Sequence, residues 1–152
     1  MLALIQRVTE ASVRVDEEMI GRIGQGLLVF LGVGREDTAA EGQWLAQKTA
    51  ELRIFTDDED RMNLSVKDIG GRVLVVSQFT LYGNCNKGRR PSFAAAGAPD
   101  LARELYEDYV SRLRERDLEV ATGRFAAKME VSLINDGPVT LWLDSTTRGR
   151  RK

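Results

Sequence analysis

The sequence contains no histidine and only one cysteine, Cys85. Without histidine, neither a Ser-His-Asp nor a Cys-His catalytic unit can form, and the usual zinc ligand sets are excluded. A single cysteine also excludes an internal disulfide and a Cys-x-x-Cys redox pair. As a nucleophile, Cys85 would need an activating group, because an unperturbed thiol has a pKa of about 8.5. An enzyme built from this chain must therefore work without imidazole, and we expect no metal and no cofactor.

Long apolar runs and a net charge of either sign are also missing. No run approaches the roughly 18 residues of a membrane span. The apolar N-terminal stretch is interrupted by Gln6, Arg7 and Glu10, unlike a signal peptide. We therefore expect a cytoplasmic protein with no membrane partner. The 22 Lys and Arg nearly balance the 23 Asp and Glu, so a nucleic-acid partner would have to meet a local basic patch.

The length of 152 residues is typical of one domain with a proper core. The last residues, 145–152, carry four cationic side chains and show no apolar pattern. We therefore expect a domain of residues 1–144 followed by a basic, disordered tail of residues 145–152.

Hydrophobic patterning predicts a mixture of strands and two helices. A capping box from Thr38 to Glu41 predicts a helix that ends near Arg53. Pro99 is a favoured first helical residue and predicts a second helix that ends near Glu115. Strands are predicted at residues 2–9, 11–15, 19–23, 27–33, 54–55, 72–82, 118–122, 128–134 and 139–143.

The predicted strand 72–82 changes its chemistry along its length. It begins as an apolar, β-branched run, and Ser77, Gln78 and Thr80 then follow without a turn signal. In a continuous strand, Gln78 and Thr80 share one face, whereas Ser77 and Phe79 share the other. Buried polar groups must be satisfied. These groups therefore either bond to neighbouring strands or form a site, and the pattern leaves both interpretations open.

A cationic loop, residues 83–93, follows this segment. Two glycines, two asparagines and a proline mark it as a loop, and Lys87, Arg89 and Arg90 make it positive. Charged loops are usually just solvated. Its position directly after the polar strand end, however, would allow this loop to clamp phosphates at the mouth of a site.

A second unusual segment, Asn-Asp-Gly-Pro at residues 135–138, separates the last two predicted strands. A tight hairpin explains these residues completely and is the simpler interpretation. The alternative is that Gly137 and Pro138 present bare backbone carbonyls and a rigid ring to whatever faces them.

Three motifs together, at residues 77–82, 87–93 and 135–140, resemble those of the D-aminoacyl-tRNA deacylases, and the likeness extends over residues 1 to about 144. The resemblance implies a cytoplasmic homodimeric hydrolase. Such an enzyme cleaves the ester between a D-amino acid, or glycine, and the 3′ adenosine of tRNA, as chiral proofreading in translation. It also implies an α/β fold of the α+β type, a single domain of barrel-like packed β-sheets with two long flanking helices.

The same resemblance implies roles for particular residues. The catalytic group would comprise Ser77, Gln78, Phe79 and Thr80. Chiral selection would fall to a Gly-cisPro element, Gly137 and Pro138, which completes the active site across the dimer, together with Met129. Contacts to tRNA would come from Lys87, Arg89 and Arg90. Residues 84–86, Asn-Cys-Asn, depart from the Asp-Thr-Arg type common in the family.

Two mechanisms and one rival function remain open. Thr80 is internal and has neither an α-amino base nor an imidazole, so it is a poor nucleophile. The vicinal ribose 2′-OH of the substrate can instead help to activate water, while the Phe79 N–H and the Gln78 or Thr80 side chains serve the oxyanion. Catalysis by a Thr80 nucleophile is the competing mechanism. The rival function is a non-catalytic tRNA- or RNA-binding module on the same fold, which would explain the cationic loop.

Overall fold

Eight strands and two long α-helices form within residues 1–149, the part of the chain that the computed structural model describes. Short 3-10 helices at Phe79–Tyr82 and Ser145–Thr147 complete the regular structure. In chain order the longer elements are β1 (Leu2–Val15), β2 (Glu18–Ile23), β3 (Gly26–Gly32), α1 (Ala39–Glu51), β4 (Phe55–Thr56), β5 (Met62–Leu64), β6 (Arg72–Ser77), α2 (Pro99–Arg114), β7 (Glu119–Thr122) and β8 (Glu130–Asp144).

Six of the strands form one mixed sheet around β1. Their order is β2-β1-β3-β6-β7, and β8 pairs antiparallel with β1 along its length. Strand β6 is parallel to both β3 and β7. The sheet curls until β2 meets β7: a Cβ on Gly21 would lie only 2.5 Å from the carbonyl oxygen of Thr122. The predicted fold, a barrel-like sheet with two long helices, is therefore confirmed.

The curled sheet has an apolar core on each face. Leu28 packs into a cluster inside the curl, whereas Leu27 and Val29 pack into a larger cluster beneath the helices. Burial on both faces explains why β3 and β6 are continuous apolar runs in the sequence.

Both helices form close to their predicted bounds. The Thr38 hydroxyl accepts the Ala40 N–H at 3.3 Å, and a Glu41 carboxylate oxygen accepts the Thr38 N–H at 2.9 Å, so the capping box is present. The two helices also share a buried hydrogen bond of 2.7 Å between Thr49 and Tyr109.

The hairpin predicted at residues 135–138 is wrong, because β8 is one continuous strand. Gln6 of β1 pairs with Thr140 and Val8 pairs with Asn135, so Arg7 alone faces the four residues 136–139. These four residues form a bulge, and the Asn135 amide bridges its base by donating to the carbonyls of Arg7 and Val139, each at 3.0 Å. The long partner strand β1, itself predicted as two strands, keeps both halves of β8 in one ladder.

The predicted strand 72–82 ends earlier, at Ser77. Its parallel partner β3 ends at Gly32, and the Gln78 N–H donates to the carbonyl of Leu31 at 2.8 Å. Leu81 N–H then donates to the Gln78 carbonyl at 3.3 Å, which turns the chain into the 3-10 helix Phe79–Tyr82. The alternation of faces expected beyond Ser77 is therefore wrong.

The expected disorder does not begin at Ser145. Ser145 is buried, and its N–H donates to the Met1 carbonyl at 3.0 Å. Arg148 lies 3.5 Å from the Glu41 carboxylate and donates to the Ala40 carbonyl. Residues 150–152 of the predicted tail lie outside the described part of the chain. Neither α1 nor α2, nor any other helix within residues 1–149, combines the length and apolar character needed to cross a membrane.

The chain has three tyrosines, Tyr82, Tyr106 and Tyr109, and burial makes each of them harder to deprotonate. Burial raises the pKa of Tyr106 to about 12 and raises the pKa of the other two as well. A raised folded-state pKa contributes stability that is complete below the ordinary value of about 10 and is lost as pH rises through the folded value. We therefore expect tyrosinate absorbance to appear together with loss of the circular dichroism signal, well above pH 10. Ordinary titration near pH 10 with unchanged circular dichroism would contradict this.

Candidate active site

A cavity of about 500 Å³ opens beyond the ends of the parallel strands β3 and β6. Its wall includes Ser77, Gln78, Phe79 and Met129, four of the residues singled out in the sequence. The remaining wall is largely apolar and comes mainly from β3, from the first half of α2 and from residues 125–127, with one valine each from β6 and β8. In α/β sheets, ligands characteristically bind beyond the carboxyl ends of parallel strands. The parallel pairing of β3 and β6 therefore explains why the cavity lies at the polar carboxyl end of β6.

Thr80 stands beside this cavity in the 3-10 helix Phe79–Tyr82. Its side chain is exposed, and its hydroxyl accepts a hydrogen bond from the Gln78 side-chain amide. Phe79 and Thr80 begin the 3-10 helix, so their N–H groups have no acceptor within it. The segment thus offers hydrogen-bond donors next to an apolar chamber. The only bond seen for the Thr80 hydroxyl in the described residues comes from an amide, which cannot act as a base.

The cationic loop is attached to this turn through two aromatic rings. Phe79 is 56% exposed, and its ring meets that of Phe93 edge-on, with centroids 5.2 Å apart. Lys87, Arg89 and Arg90 are exposed and form no ion pair with residues 1–149. Three uncompensated cations therefore lie on a loop that is anchored at the wall of the cavity.

Met129 lies in the cavity wall in close contact with Gly123. A Cβ on Gly123 would lie 2.6 Å from the Met129 sulfur, so any larger residue there would displace the thioether. Only a glycine at position 123 lets Met129 take this place in the cavity wall.

Gly137 and Pro138 lie apart from this cavity within one chain. The Gly137–Pro138 peptide bond is cis, as the resemblance implied, and both residues are exposed on the bulge of β8. Neither belongs to the cavity wall of the described chain. The structure thus brings residues 77–80 and Met129 together around the cavity, but leaves the Gly-Pro element outside it.

Arg7 holds the bulge of β8 in place through Asp136. It was assigned no role from the sequence. Its side chain is only 9% exposed, and its Nε lies 3.1 Å from a carboxylate oxygen of Asp136. The guanidinium also donates to the carbonyls of Asp136 and Ile54, at 3.3 and 2.5 Å. Arginine within an apolar strand was the available signal, because a buried charge requires a partner.

Within residues 1–149, no group of three or more Cys, Asp or Glu side chains could hold an ion.

Comparison with known proteins supplies a family. The family model described as D-Tyr-tRNA(Tyr) deacylase matches residues 4–144. A D-aminoacyl-tRNA deacylase of Thermotoga petrophila is 58% identical over 146 residues, which is 96% of this chain and 98% of that protein. One from Syntrophotalea carbinolica is 60% identical over 145 residues, covering 95% of this chain and 97% of that protein.

Two solved structures share the fold. One is titled "c-Myc DNA Unwinding Element Binding Protein"; it is 40% identical, with a TM-score of 0.89 over 95% of this chain and 98% of that chain. The other is described as a probable eukaryotic D-amino acid tRNA deacylase. It is 19% identical, with a TM-score of 0.78 over 93% of this chain and 97% of that chain, and it supports the fold alone.

Proposed function

We propose a mechanism for this site from one premise: the chain belongs to the D-Tyr-tRNA(Tyr) deacylase family. It is a hydrolase that cleaves the ester bond of D-aminoacyl-tRNA and releases the free D-amino acid and tRNA. The observation that carries the assignment of its active site is the Gln78–Thr80 hydrogen bond beside the cavity of about 500 Å³. We infer that the activity serves chiral proofreading in the cytoplasm.

We propose that the substrate assists its own hydrolysis. The Thr80 hydroxyl accepts from the Gln78 amide, and no base contacts it within the described residues, so nothing is in place to remove its proton. The ribose 2′-OH beside the ester can instead help to activate water. The protein then positions the ester, and the Phe79 N–H with the Gln78 and Thr80 side chains donates to the developing oxyanion.

Chiral selection is proposed to come from a second copy of the chain. Gly137 and Pro138 are exposed on β8 and lie away from the cavity of their own chain. Exposed Ile134 and Trp142 lie on the same strand and favour burial in a contact between chains. In a homodimer, the bulge of one protomer would reach the site of its partner. Its backbone would exclude the L substituent at Cα while accepting D-amino acids, and also glycine, which has no substituent there.

The direct test compares D-Tyr-tRNA with L-Tyr-tRNA. Released amino acid is counted for each ester at equal concentration of the purified protein. Release from the D ester alone supports the proposal. Equal release from both esters would refute chiral selection, whereas tRNA binding without release would favour the second function considered next.

A second candidate is a non-catalytic nucleic-acid-binding module. The 40%-identical solved structure is titled as a DNA-element-binding protein, and the cationic loop gives this chain a surface for phosphates. That function would leave the Gln78–Thr80 turn and its cavity without a purpose. It therefore ranks second.

The cationic loop gives a quantitative prediction. Replacing Lys87, Arg89 and Arg90 together by Gln should weaken tRNA binding. It should also reduce the log–log salt dependence of the binding constant by roughly 0.7–0.9 for each phosphate that the loop no longer neutralises. Binding of uncharged tRNA is measured over a series of salt concentrations.

The matched control removes three other exposed cations that are already paired with carboxylates. Arg22, Arg61 and Lys67 lie 3.9, 3.0 and 3.0 Å from Glu10, Glu59 and Asp117. Their replacement by Gln changes the net charge equally but should leave most of the salt dependence in place. An unchanged slope in the loop variant would reassign the loop to plain solvent exposure.

A further inference from the structure

The Asp37 carboxylate connects three segments that are distant in sequence. One oxygen lies 2.5 Å from the Met1 α-ammonium, and the other accepts the Gly34 N–H at 2.6 Å and the Tyr82 hydroxyl at 3.1 Å. The Asp37 side chain is 10% exposed and the Met1 ammonium is fully buried. The ammonium also donates to the Ser145 hydroxyl at 2.6 Å. Removing either charge would leave the other buried and unpaired, so this ion pair holds its geometry firmly.

Tyr82 connects Asp37 to the candidate catalytic turn, residues 79–82. It is the last residue of the 3-10 helix that begins with Phe79 and Thr80. Its ring lies against two glycines: a Cβ would meet the Tyr82 hydroxyl at 2.7 Å from Gly34 and the ring edge at 3.4 Å from Gly32. The absence of a side chain at Gly34 is what lets the hydroxyl reach Asp37.

The hydroxyl remains a hydrogen-bond donor over a wide pH range. Burial, followed by the charge of Asp37, raises the pKa of Tyr82 above its ordinary value. The Tyr82 hydroxyl therefore keeps its proton at neutral pH and can donate it to Asp37.

The turn is thus fixed at both ends. At its start, the Gln78 N–H donates to the Leu31 carbonyl at 2.8 Å. At its end, the Tyr82 hydroxyl bonds to Asp37. The segment that contains Asp37 also holds another part of the cavity wall, because the Gly97 N–H donates to the Val33 carbonyl at 2.8 Å. One carboxylate therefore bonds both to the last residue of the Thr80 turn and to the segment that borders the chamber.

We propose that Asp37, paired with the buried Met1 ammonium, is a positioning residue that holds the Phe79–Tyr82 turn in its catalytic geometry through the Tyr82 hydroxyl. This inference rests on the proposed role of that turn. Asp37 does not belong to the cavity wall, and its effect reaches the ester only through the placement of the turn. Loss of the anchor should therefore lower kcat and leave KM for the aminoacyl-tRNA nearly unchanged.

Tyr82→Phe is the cleanest test, because it keeps the ring against the two glycines and removes only the hydroxyl. A misplacement of catalytic groups by about 1 Å can cost about 100-fold in rate, so a smaller displacement of the turn should lower kcat by about 10-fold. Tyr109→Phe is the matched control. It removes the buried 2.7 Å bond to Thr49 between the two helices, and it should lower thermal stability without changing kcat.

Two further changes act on the same anchor. Asp37→Asn removes the carboxylate charge, and one glycine added before Met1 converts the ammonium into a neutral amide. Each should lower kcat in the same direction as Tyr82→Phe. The double change Asp37→Asn with Tyr82→Phe should be little worse than Asp37→Asn alone, because both act on the same hydrogen bond.

Wild-type kcat in Tyr82→Phe would overturn the inference, whatever its thermal stability. Equal losses of kcat in Tyr82→Phe and Tyr109→Phe would also overturn it, since a general loss of stability would then suffice. Amide hydrogen exchange across residues 78–83 separates the inference from the proposed function. If the wild-type protein hydrolyses no D-aminoacyl-tRNA, the function fails. Even then, if the amides of residues 78–83 exchange as slowly in Tyr82→Phe as in the wild type, the proposed positioning by Asp37 is contradicted.

Discussion

Gly137→Ala should lower the turnover of D-aminoacyl-tRNA by about 100-fold or more. A Cβ at this position would lie 2.6 Å from a guanidinium nitrogen of Arg7, which is buried and held by Asp136 and Ile54. Arg7 cannot move aside without leaving those partners, so the bulge must shift instead. A shift of about 1 Å in a group that positions the substrate can cost about 100-fold in rate.

Backbone strain must be separated from this displacement. Gly137 has φ of 110°, a conformation that costs a residue with a side chain about 1–3 kcal/mol. Gly70→Ala is the matched control, because Gly70 also has positive φ, 62°, while nothing lies within 4 Å of a Cβ there. This variant should lose less stability than Gly137→Ala, because φ of 62° lies in the left-handed region that Ala126 of this chain also adopts, and it should keep its activity. Wild-type turnover in Gly137→Ala would exclude the bulge from the reaction.

The role of Gly137 and Pro138 can also be tested by varying the amino acid of the substrate with the wild-type protein. The backbone of Gly137 and Pro138 would exclude an L substituent at Cα without contacting the D side chain. The size of the D side chain should therefore matter little. The kcat/KM values for D-Tyr, D-Asp and D-Ala esters should therefore be similar, and glycyl-tRNA should also be hydrolysed. Strong discrimination among the D-amino acids would count against exclusion at Cα.

The sequence correctly predicted the elements that are determined by neighbouring residues, namely the starts of both helices and the strand β3. The capping box at Thr38 and the proline at residue 99 set the starts of both helices, because these residues act on the backbone within one turn. The apolar run of β3 was likewise sufficient, since a strand buried on both faces needs no alternation.

The short strand β5, which pairs with nearby β4, was not predicted, and the larger errors concern pairing between distant segments. Residues 135–138 have the composition of a hairpin, yet they form a bulge because β1 is long enough to pair on both sides of them. The strand predicted at 72–82 stops at Ser77 because β3 stops at Gly32. Ser145 is ordered because it meets Met1 at the other end of the chain. None of these causes lies within reach of a sequence window.

The candidate site shows the same division. Its polar strand end and cationic loop could be identified from residue types, and the family motifs singled out Gly137, Pro138 and Met129. Arg7 and Asp37 could not be assigned a role from the sequence. Each acts through one partner far along the chain, Asp136 for Arg7 and Tyr82 for Asp37.

Thr80→Ala should retain part of the activity, with a loss near the 10²–10³-fold typical of removing one oxyanion donor. The Thr80 hydroxyl accepts from the Gln78 amide and has no base beside it in the described residues, so it is not prepared to attack the ester. Thr80→Ser is the matched control, because it keeps the hydroxyl and should stay close to the wild-type rate. Single-turnover hydrolysis of D-Tyr-tRNA gives the rate of the chemical step in each variant.

The substrate should matter more than the threonine. Replacing the 2′-OH of the terminal adenosine by hydrogen, with the ester attached at the 3′ position, should lower the rate further than Thr80→Ala does, because it removes the group that helps to activate water. Mass spectrometry of the quenched wild-type reaction should show no acyl group on Thr80. An ester trapped on Thr80, together with undiminished hydrolysis of the 2′-deoxy substrate, would establish the nucleophilic mechanism instead.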